Sequence, residues 1–207
     1  ERVTALARYG FTDMTLANNH SYDYGKDGYE HARAVLADTG VAVGGNPRTV
    51  SDDDVLYRII GDARVAVIPV NAVPSAPPQA DITTVLAHAG EQSDLQVIFI
   101  HWGTEYAKIA DDSQRALAHS LIDAGADAII GAHPHVVQNI EDYRNAPIFY
   151  SLGNFIFDQY WNTDVQVGLT VALSFEEQKV RYTLIPVTSV DTRSAPRPNF
   201  AGATSYN

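Results

Sequence analysis

Two alternating patterns of apolar and polar positions predict an α/β fold for this chain. Short apolar runs rich in β-branched residues are typical of buried strands, and apolar residues spaced three and four apart are typical of amphipathic helices. Residues 55–70 are expected to form a hairpin that turns at Gly61-Asp62. The other predicted strands in this part of the chain cover residues 13–18, 41–45, 95–101 and 127–133, and the predicted helices cover residues 26–40, 82–91 and 113–126.

The last third of the chain changes character, because its apolar runs follow one another without helices between them. Strands are predicted over residues 147–157, 167–175 and 180–190. This order indicates helices packed on sheets, with extra strands at the end of the domain. We expect one domain over residues 1–190 and a loose tail over residues 191–207, where Ser, Pro, Asn and Gly are frequent.

Three of the buried-type strands end in polar clusters, "LANNH" (16–20), "FIHWG" (99–103) and "GAHPH" (131–135). Ligand sites of α/β sheets lie at the carboxyl ends of strands. Four of the seven histidines fall at these ends, and the other three, His31, His88 and His119, lie within predicted helices. Neutral imidazole is the commonest protein metal ligand, and several imidazoles with Asn or Asp oxygens suit Zn, Mn or Fe. The four strand-end histidines are His20, His101, His133 and His135.

The four histidines and their polar or aromatic neighbours can also be explained by purely structural roles. A single histidine at a strand end is more often a packed structural residue than a ligand, and only the convergence of four favours a metal site. Asp23 can turn the chain before the next helix, and Glu105 is either an acid/base or a helix-start carboxylate. Trp102 is expected to pack in the core. If metals are present, His133 and His135 leave one loop close together, so two cations about 3.5–4 Å apart can share ligands from neighbouring loops.

Charge and composition narrow the function classes. The net charge of −11 and the pI of about 4.9 argue against a nucleic-acid partner, which needs a basic footprint. The absence of cysteine excludes disulfides and thiolate metal ligands. No apolar run is long enough to span a membrane. The chain begins without Met, so we expect it to be a fragment of a longer protein. A membrane anchor or signal, if there is one, would lie in the upstream segment.

The motifs resemble the bacterial capsule-synthesis CapA family, which is involved in poly-γ-glutamate capsule biosynthesis. The resemblance rests on "LANNHSYDYG", "IFIHWGTEY", "GADAIIGAHPHVVQ" and "PIFYSLGNFIFD", in order from about Ala5 to about Val187. It implies the fold of calcineurin-like metallophosphoesterases, a sandwich of two β-sheets flanked by helices, here lacking its first strands.

The resemblance also implies roles for single residues. Asn19-His20 is similar to the Asn-His motif of metallophosphoesterases, so His20 is the expected acid for the leaving group, and Asp23 and Glu105 are further catalytic candidates. "GAHPH" is similar to a Gly-His-x-His motif with Ala132 inserted. The Asp ligands of such sites would lie upstream of Glu1, so this chain is expected to hold only part of a dinuclear Mn, Fe or Zn site. The implied metal ligands are Asn19, His101, His133 and His135.

Two functions follow as hypotheses. The first is a metal-dependent hydrolase of phosphoester or related bonds in capsule synthesis. The second is a non-catalytic component that binds the anionic polymer, a lipid-linked partner or other capsule synthesis proteins. An acidic protein would need bridging cations or a basic patch to hold an acidic polymer, and the nearest basic residues by sequence are Lys108 and Arg144. Either function implies an outward-facing protein of the cell envelope, anchored through the missing segment.

Overall fold

A computed structural model describes residues 2–176, 179–190, 197–198 and 203–206. The chain forms two compact units, Glu1–His101 and Trp102–Asn207. Both combine β-strands with helices, and the predicted α/β fold, with β-sheets flanked by helices, is confirmed. Within the described residues, no helix has the length and the apolar character needed to cross a bilayer.

The first unit contains two groups of paired strands and three helices. Strand β1 pairs in parallel with β2, while β4 pairs antiparallel with β3 and parallel with β5. The predicted hairpin turn at Gly61-Asp62 is confirmed, because Ile60 pairs with Ala63 and Gly61 adopts a φ of +61°. The elements are α1 Arg2–Arg8, β1 Asp13–Thr15, α2 Gly25–Asp38, β2 Ala42–Gly44, β3 Leu56–Ile60, β4 Ala63–Asn71, α3 Gln79–Gln92 and β5 Leu95–His101.

The apolar run of β5 is buried on both faces, as its composition predicts. Val97 on one face and Ile98 and Ile100 on the other are buried, and Ile68 and Val70 of the neighbouring β4 are fully buried. A strand covered on both faces has no need of polar alternation. Its last residue, His101, pairs in register with Asn71 at the end of β4. Two parallel strands therefore deliver polar side chains to one edge of this unit.

Among its described residues, the second unit contains one α-helix, one 3₁₀-helix (Thr163–Gln166) and seven strands. Strand β6 pairs in parallel with β8, β7 pairs antiparallel with β8, and β9 forms a long antiparallel pair with β10. Strands β11 and β12 also pair with β10. The elements are α4 Asp112–Asp123, β6 Ala128–Ala132, β7 Ile140–Tyr143, β8 Ala146–Phe149, β9 Val167–Glu176, β10 Lys179–Thr188, β11 Arg197–Pro198 and β12 Thr204–Tyr206.

The predicted strand over residues 147–157 is wrong beyond Phe149. After Tyr150 the chain makes only isolated bridges at Leu152 and Gly153, and Gly153 has a φ of +70°, which extended strands do not adopt. Strand β7 was not predicted, because its polar Glu141 and Asp142 interrupt any apolar run. The β7–β8 turn has φ values of +53° and +66° at Arg144 and Asn145, which is typical of tight two-residue hairpins.

The predicted domain over residues 1–190 stays a prediction. The predicted tail, residues 191–207, lies mostly outside the described residues. Its described parts are residues 197–198 and 203–206, which include β11 and β12.

Candidate metal centre

Glu105, His133 and His135 form a group of potential metal ligands in the second unit. One donor atom from each residue lies within 4.8 Å of the donor atoms of the other two. Glu105 is exposed and His135 is half-buried, so the group lies where solvent meets the protein. Two imidazole nitrogens and one carboxylate oxygen are a donor set that suits Zn, Mn or Fe. These three residues can therefore hold a divalent cation.

The backbone that carries the two histidines adopts an unusual conformation. His133 has a φ of +103° and His135 a φ of +61°, a region that side-chain-bearing residues enter only when the surroundings demand it. Tyr106, next to Glu105, also has a positive φ of 64°, and its N–H donates to the carbonyl of Pro134 at 2.8 Å. This hydrogen bond ties the Glu105 loop directly to the His-Pro-His loop. Strained residues cluster at functional sites, so the geometry supports a ligand role for this group.

Close packing fixes the start of the His-Pro-His loop at the end of β6. A side chain on Gly131 would overlap the carbonyl oxygen of Tyr150 and the indole nitrogen of Trp102. The Trp102 backbone N–H donates to Ala132 O at 3.0 Å, and its indole N–H donates to Tyr150 O at 2.8 Å. Trp102 is only 2% exposed, so its predicted packing role is confirmed. The packing leaves the loop little freedom at its first residue.

Asn154 forms a hydrogen bond with the His135 ring. Its amide group donates to Val165 O at 2.9 Å and to Gln159 Oε1 at 3.2 Å, which identifies its other atom as the acceptor oxygen. That oxygen lies 2.9 Å from His135 Nδ1. The ring must therefore donate from Nδ1, which makes the Nε2 lone pair available to a ligand.

Aromatic side chains border the His135 ring. Tyr106 stacks on it with centroids 6.0 Å apart, and Phe157 lies 4.9 Å away in a tilted arrangement. Trp161 packs edge-on against Tyr106 at 5.7 Å and is 64% exposed. The surface next to this group of potential metal ligands is therefore apolar and open to solvent.

The first unit contains a second polar cluster, which shares no residue with the Glu105, His133 and His135 group. Asn19 Oδ1 lies 2.9 Å from His101 Nε2, although the two residues are far apart in sequence. Asn19 Nδ2 lies 3.3 Å from His20 Nε2, and His20 Nδ1 lies 2.9 Å from Asp23 Oδ2. The predicted ligands Asn19 and His101 thus direct donor atoms at one another, and the predicted acid His20 has a carboxylate partner. A carboxylate at Nδ1 orients the ring.

Local hydrogen bonds shape the loops that carry this cluster. After β1, Ala17 N–H donates to Thr15 Oγ1 and His20 N–H donates to Asn18 Oδ1. At the other side, the buried Asn71 donates to the carbonyls of Pro47 and Val73, both at 2.9 Å. The carbonyl of His101 accepts from Ala72 N–H at 2.7 Å. Short polar side chains therefore replace the backbone hydrogen bonds that end with each strand.

The seven predicted site residues thus fall into two sets, one in each unit. Glu105, which sequence left open between two roles, joins His133 and His135. Asn154 was missed, because its surroundings were assigned to a strand. The polar Ser151 and Asn154 around Gly153, in "SLGN", were the signal that could have indicated a loop.

Several titratable groups outside the two clusters have ion-pair partners. His88 pairs with Asp52 and His119 with Glu141, in agreement with their predicted positions on helices. The basic residues nearest to the motifs by sequence are also paired, Lys108 with Asp164 and Arg144 with Asp123. The positive charge of each of these two side chains is therefore partly neutralised by its carboxylate partner.

The profile of the family described as "Bacterial capsule synthesis protein PGA_cap" matches residues 1–159. The "PGA biosynthesis protein CapA" of Bacillus subtilis (strain 168) is 32% identical, over 95% of this chain and 56% of that protein. The "Capsule biosynthesis protein CapA" of Bacillus anthracis is 34% identical, over 78% of this chain and 44% of that protein. The chain thus spans about half the length of these relatives.

Two further similarities concern a more distant relative and the fold. A Mycobacterium tuberculosis protein named "Probable polyglutamine synthesis accessory protein" is 29% identical, over 76% of this chain and 48% of that protein. A crystal structure of a hypothetical protein from Thermus thermophilus matches 98% of this chain and 79% of its own, with a TM-score of 0.55 and 16% identity. This structural likeness concerns the fold alone.

Proposed function

Because the chain belongs to the bacterial capsule synthesis PGA_cap family, we propose that it acts in poly-γ-glutamate capsule synthesis as a metal-dependent hydrolase. Its substrate is a phosphoester or a related bond, and its place is the outward side of the cell envelope, among the capsule synthesis proteins. The observation that carries the hydrolase proposal is the convergence of Glu105, His133 and His135 within 4.8 Å. The names of the two CapA relatives support the process.

In this proposal the cation is Mn, Fe or Zn, and the three residues of the second unit are its ligands. When bound, such a cation supplies Lewis-acid chemistry to a phosphoryl substrate. Asn19 and His101 are proposed as a separate pair of ligands within the first unit, since their donor atoms approach to 2.9 Å. A dinuclear form requires the additional Asp ligands that the family resemblance implies.

His20 and Asp23 are the proposed proton-transfer pair. The Asp23 carboxylate, 2.9 Å from Nδ1, orients the His20 ring. Protonation at Nε2 replaces the contact with Asn19 Nδ2 and makes this atom the donor to the leaving group. In this proposal Glu105 is a metal ligand, and His20 is the general acid.

The alternative is a non-catalytic component that binds a partner or polymer of capsule synthesis. A specific observation favours it: Phe155, Ile156, Phe157 and Trp161 are each more than 40% exposed in one short segment beside His135. Exposed apolar clusters of this kind mark interaction surfaces. The accessory role in the name of the mycobacterial relative supports the same alternative.

The test is metal content and hydrolysis in matched variants of the protein. His133→Ala removes one of three ligands, so we expect loss of bound Mn, Fe or Zn by elemental mass spectrometry. Hydrolysis of p-nitrophenyl phosphate and bis-p-nitrophenyl phosphate should fall by at least about 100-fold, since hydrolysis depends on the cation. His31→Ala, an exposed histidine of α2, is the matched control and should change neither quantity.

Each outcome separates the two functions. Metal bound by the unaltered protein and lost with His133→Ala, together with lost hydrolysis, supports the hydrolase. Metal-free protein that still supports capsule formation in cells contradicts the hydrolase and favours the binding component.

A further inference from the structure

Asn154 forms a hydrogen bond with the His135 ring and is itself held by two further hydrogen bonds. Its oxygen accepts from His135 Nδ1 at 2.9 Å. Its amide nitrogen donates to Val165 O at 2.9 Å and to Gln159 Oε1 at 3.2 Å. Both ends of this amide are engaged, so its orientation is determined by its partners.

We propose that Asn154 is a positioning residue that holds the His135 ring as the Nδ1–H tautomer, with Nε2 presented to a divalent cation. The inference rests on the proposed metal site and goes beyond it by assigning a role outside the ligand set. Groups that bond the second nitrogen of a ligating imidazole fix its tautomer and its orientation. A neutral amide oxygen does this without adding charge to the site.

The backbone around Asn154 is built to keep this side chain in place. Leu152 N–H donates to Gly131 O at 3.1 Å, and Leu169 N–H donates to Leu152 O at 2.8 Å. Gly153 forms a bridge with Gly168, and a side chain on Gly153 would overlap the carbonyl oxygen of Val167. Asn154 is therefore tied to β9 on one side and to the end of β6 on the other.

The strain at His135 explains why such a holder is needed. His135 has a φ of +61°, a backbone conformation that residues with side chains rarely adopt. Contacts of the ring with its neighbours are therefore needed to hold it in position. Tyr106 and Phe157 border the faces of the ring, which restricts its tilt. The hydrogen bond from Nδ1 to Asn154 restricts its rotation and decides which nitrogen carries the proton.

The first test is cation affinity, measured with Co²⁺ and Zn²⁺ alone. Titration of the metal-free protein with Co²⁺, followed by its visible absorption, reports imidazole coordination, and competition with Zn²⁺ gives relative affinity. Asn154→Ala should weaken binding by about 10–100-fold, the usual effect of losing such a partner. Asn154→Asp keeps the acceptor oxygen but loses the donor to Val165 O and to Gln159 Oε1, and its affinity should stay within about threefold of that of the unaltered protein.

This pair of variants separates positioning of the ring from support of the loop. Both lose the hydrogen bond to Val165, so both should lower the thermal midpoint to a similar extent. Asn162→Ala is the matched control, because its side chain accepts from Asp164 N–H in the same segment and does not contact His135. It should leave the Co²⁺ spectrum and affinity unchanged.

The second test needs no metal. Long-range ¹H–¹⁵N correlation spectra of the metal-free protein should show His135 as the Nδ1–H tautomer, and Asn154→Ala should remove this preference. Equal cation affinities in the unaltered protein and Asn154→Ala, or an Nε2–H tautomer in the unaltered protein, would overturn the inference alone. Absence of Co²⁺ binding by the unaltered protein would overturn the proposed metal site as well.

Discussion

At the scale of single residues, Glu141 is the centre of a partly buried network in the second unit. Tyr150 Oη donates to one carboxylate oxygen at 2.8 Å, and His119 Nε2 lies 2.7 Å from the other. Burial raises the pKa of Glu141, but the hydrogen bonds from Tyr150 and His119, with the charges of His119 and Arg115, outweigh it and leave the pKa below its ordinary value. Burial first, and then the Glu141 carboxylate, raise the pKa of Tyr150.

The lowered pKa of Glu141 predicts acid-sensitive stability. Since the folded-state pKa lies below the unfolded value of 4.5, the carboxylate stabilises the protein above that value, and this contribution is lost as pH falls through the folded-state pKa. We expect Glu141→Gln to lower the free energy of unfolding by about 1–2 kcal/mol at pH 7. Urea denaturation should show this difference shrinking below about pH 4.

Glu91→Gln is the control for this prediction, because Glu91 is exposed on α3. It should have little effect at either pH. A Glu141→Gln difference that is the same at pH 7 and below pH 4 would contradict the assigned carboxylate role.

At the scale of elements, the N-terminus of α4 is closed by a reciprocal pair of hydrogen bonds. Asp111 Oδ1 accepts from Gln114 N–H at 2.8 Å, and Gln114 Oε1 accepts from Asp111 N–H at 3.1 Å. Gln114 is buried and donates to Gln138 Oε1 at 3.1 Å, and Gln138 donates to Ala107 O at 2.9 Å. The cap thus connects the helix start to the loop that carries Glu105.

We therefore expect Asp111→Ala to destabilise the protein by about 1 kcal/mol, the usual effect of losing an N-cap. The hydrogen bond from Ser113 lowers the pKa of Asp111 more than burial raises it, and backbone N–H groups of Gln114 and Ser113 lower it further. The cap is therefore charged at neutral pH. Thermal or urea denaturation measures the effect.

The neighbouring Asp112→Ala provides the comparison at the same helix end. Asp112 lies in the first turn of α4 and is not the cap. Equal destabilisation by the two variants would show that general charge near the helix start, and not the cap, accounts for the effect.

At the scale of the whole molecule, net charge would affect any binding of the proposed acidic polymer. A formal charge of −11 at pH 7 opposes association with a polycarboxylate, most strongly at low ionic strength. Because Lys108 and Arg144 are both engaged in ion pairs, neither is a ready basic anchor. A bound divalent cation would supply an attractive charge for such a polymer.

Binding to poly-γ-glutamate is therefore expected to require a divalent cation. Fluorescence anisotropy with labelled polymer should show association in Mn²⁺ or Zn²⁺ and at least a tenfold loss in EDTA. His133→Ala should behave in Mn²⁺ as the unaltered protein does in EDTA. Tight association in EDTA at low salt would instead indicate a basic surface or an apolar contact, such as the exposed segment at Trp161.

Sequence alone determined most of the strands and helices and where the candidate ligands lie along them. The apolar run of β5 and the Gly61-Asp62 turn are local signals, because periodicity and turn chemistry act between neighbours in the chain. The same reasoning found His101 and His133 at strand ends, since a polar residue after a buried run must leave the core. Local patterns failed where polar residues form a strand, as in β7, or where apolar residues remain exposed, as from Phe155 to Phe157.

Only the tertiary structure decided which of these side chains meet. Glu105 joins His133 and His135 because the Tyr106–Pro134 hydrogen bond brings two distant loops together. Asn154 reaches His135 because the chain, past the end of β8, bridges from Gly153 to Gly168 of β9. Such contacts depend on strand pairing and on positive φ values enforced by packing, which no pattern within a few residues encodes.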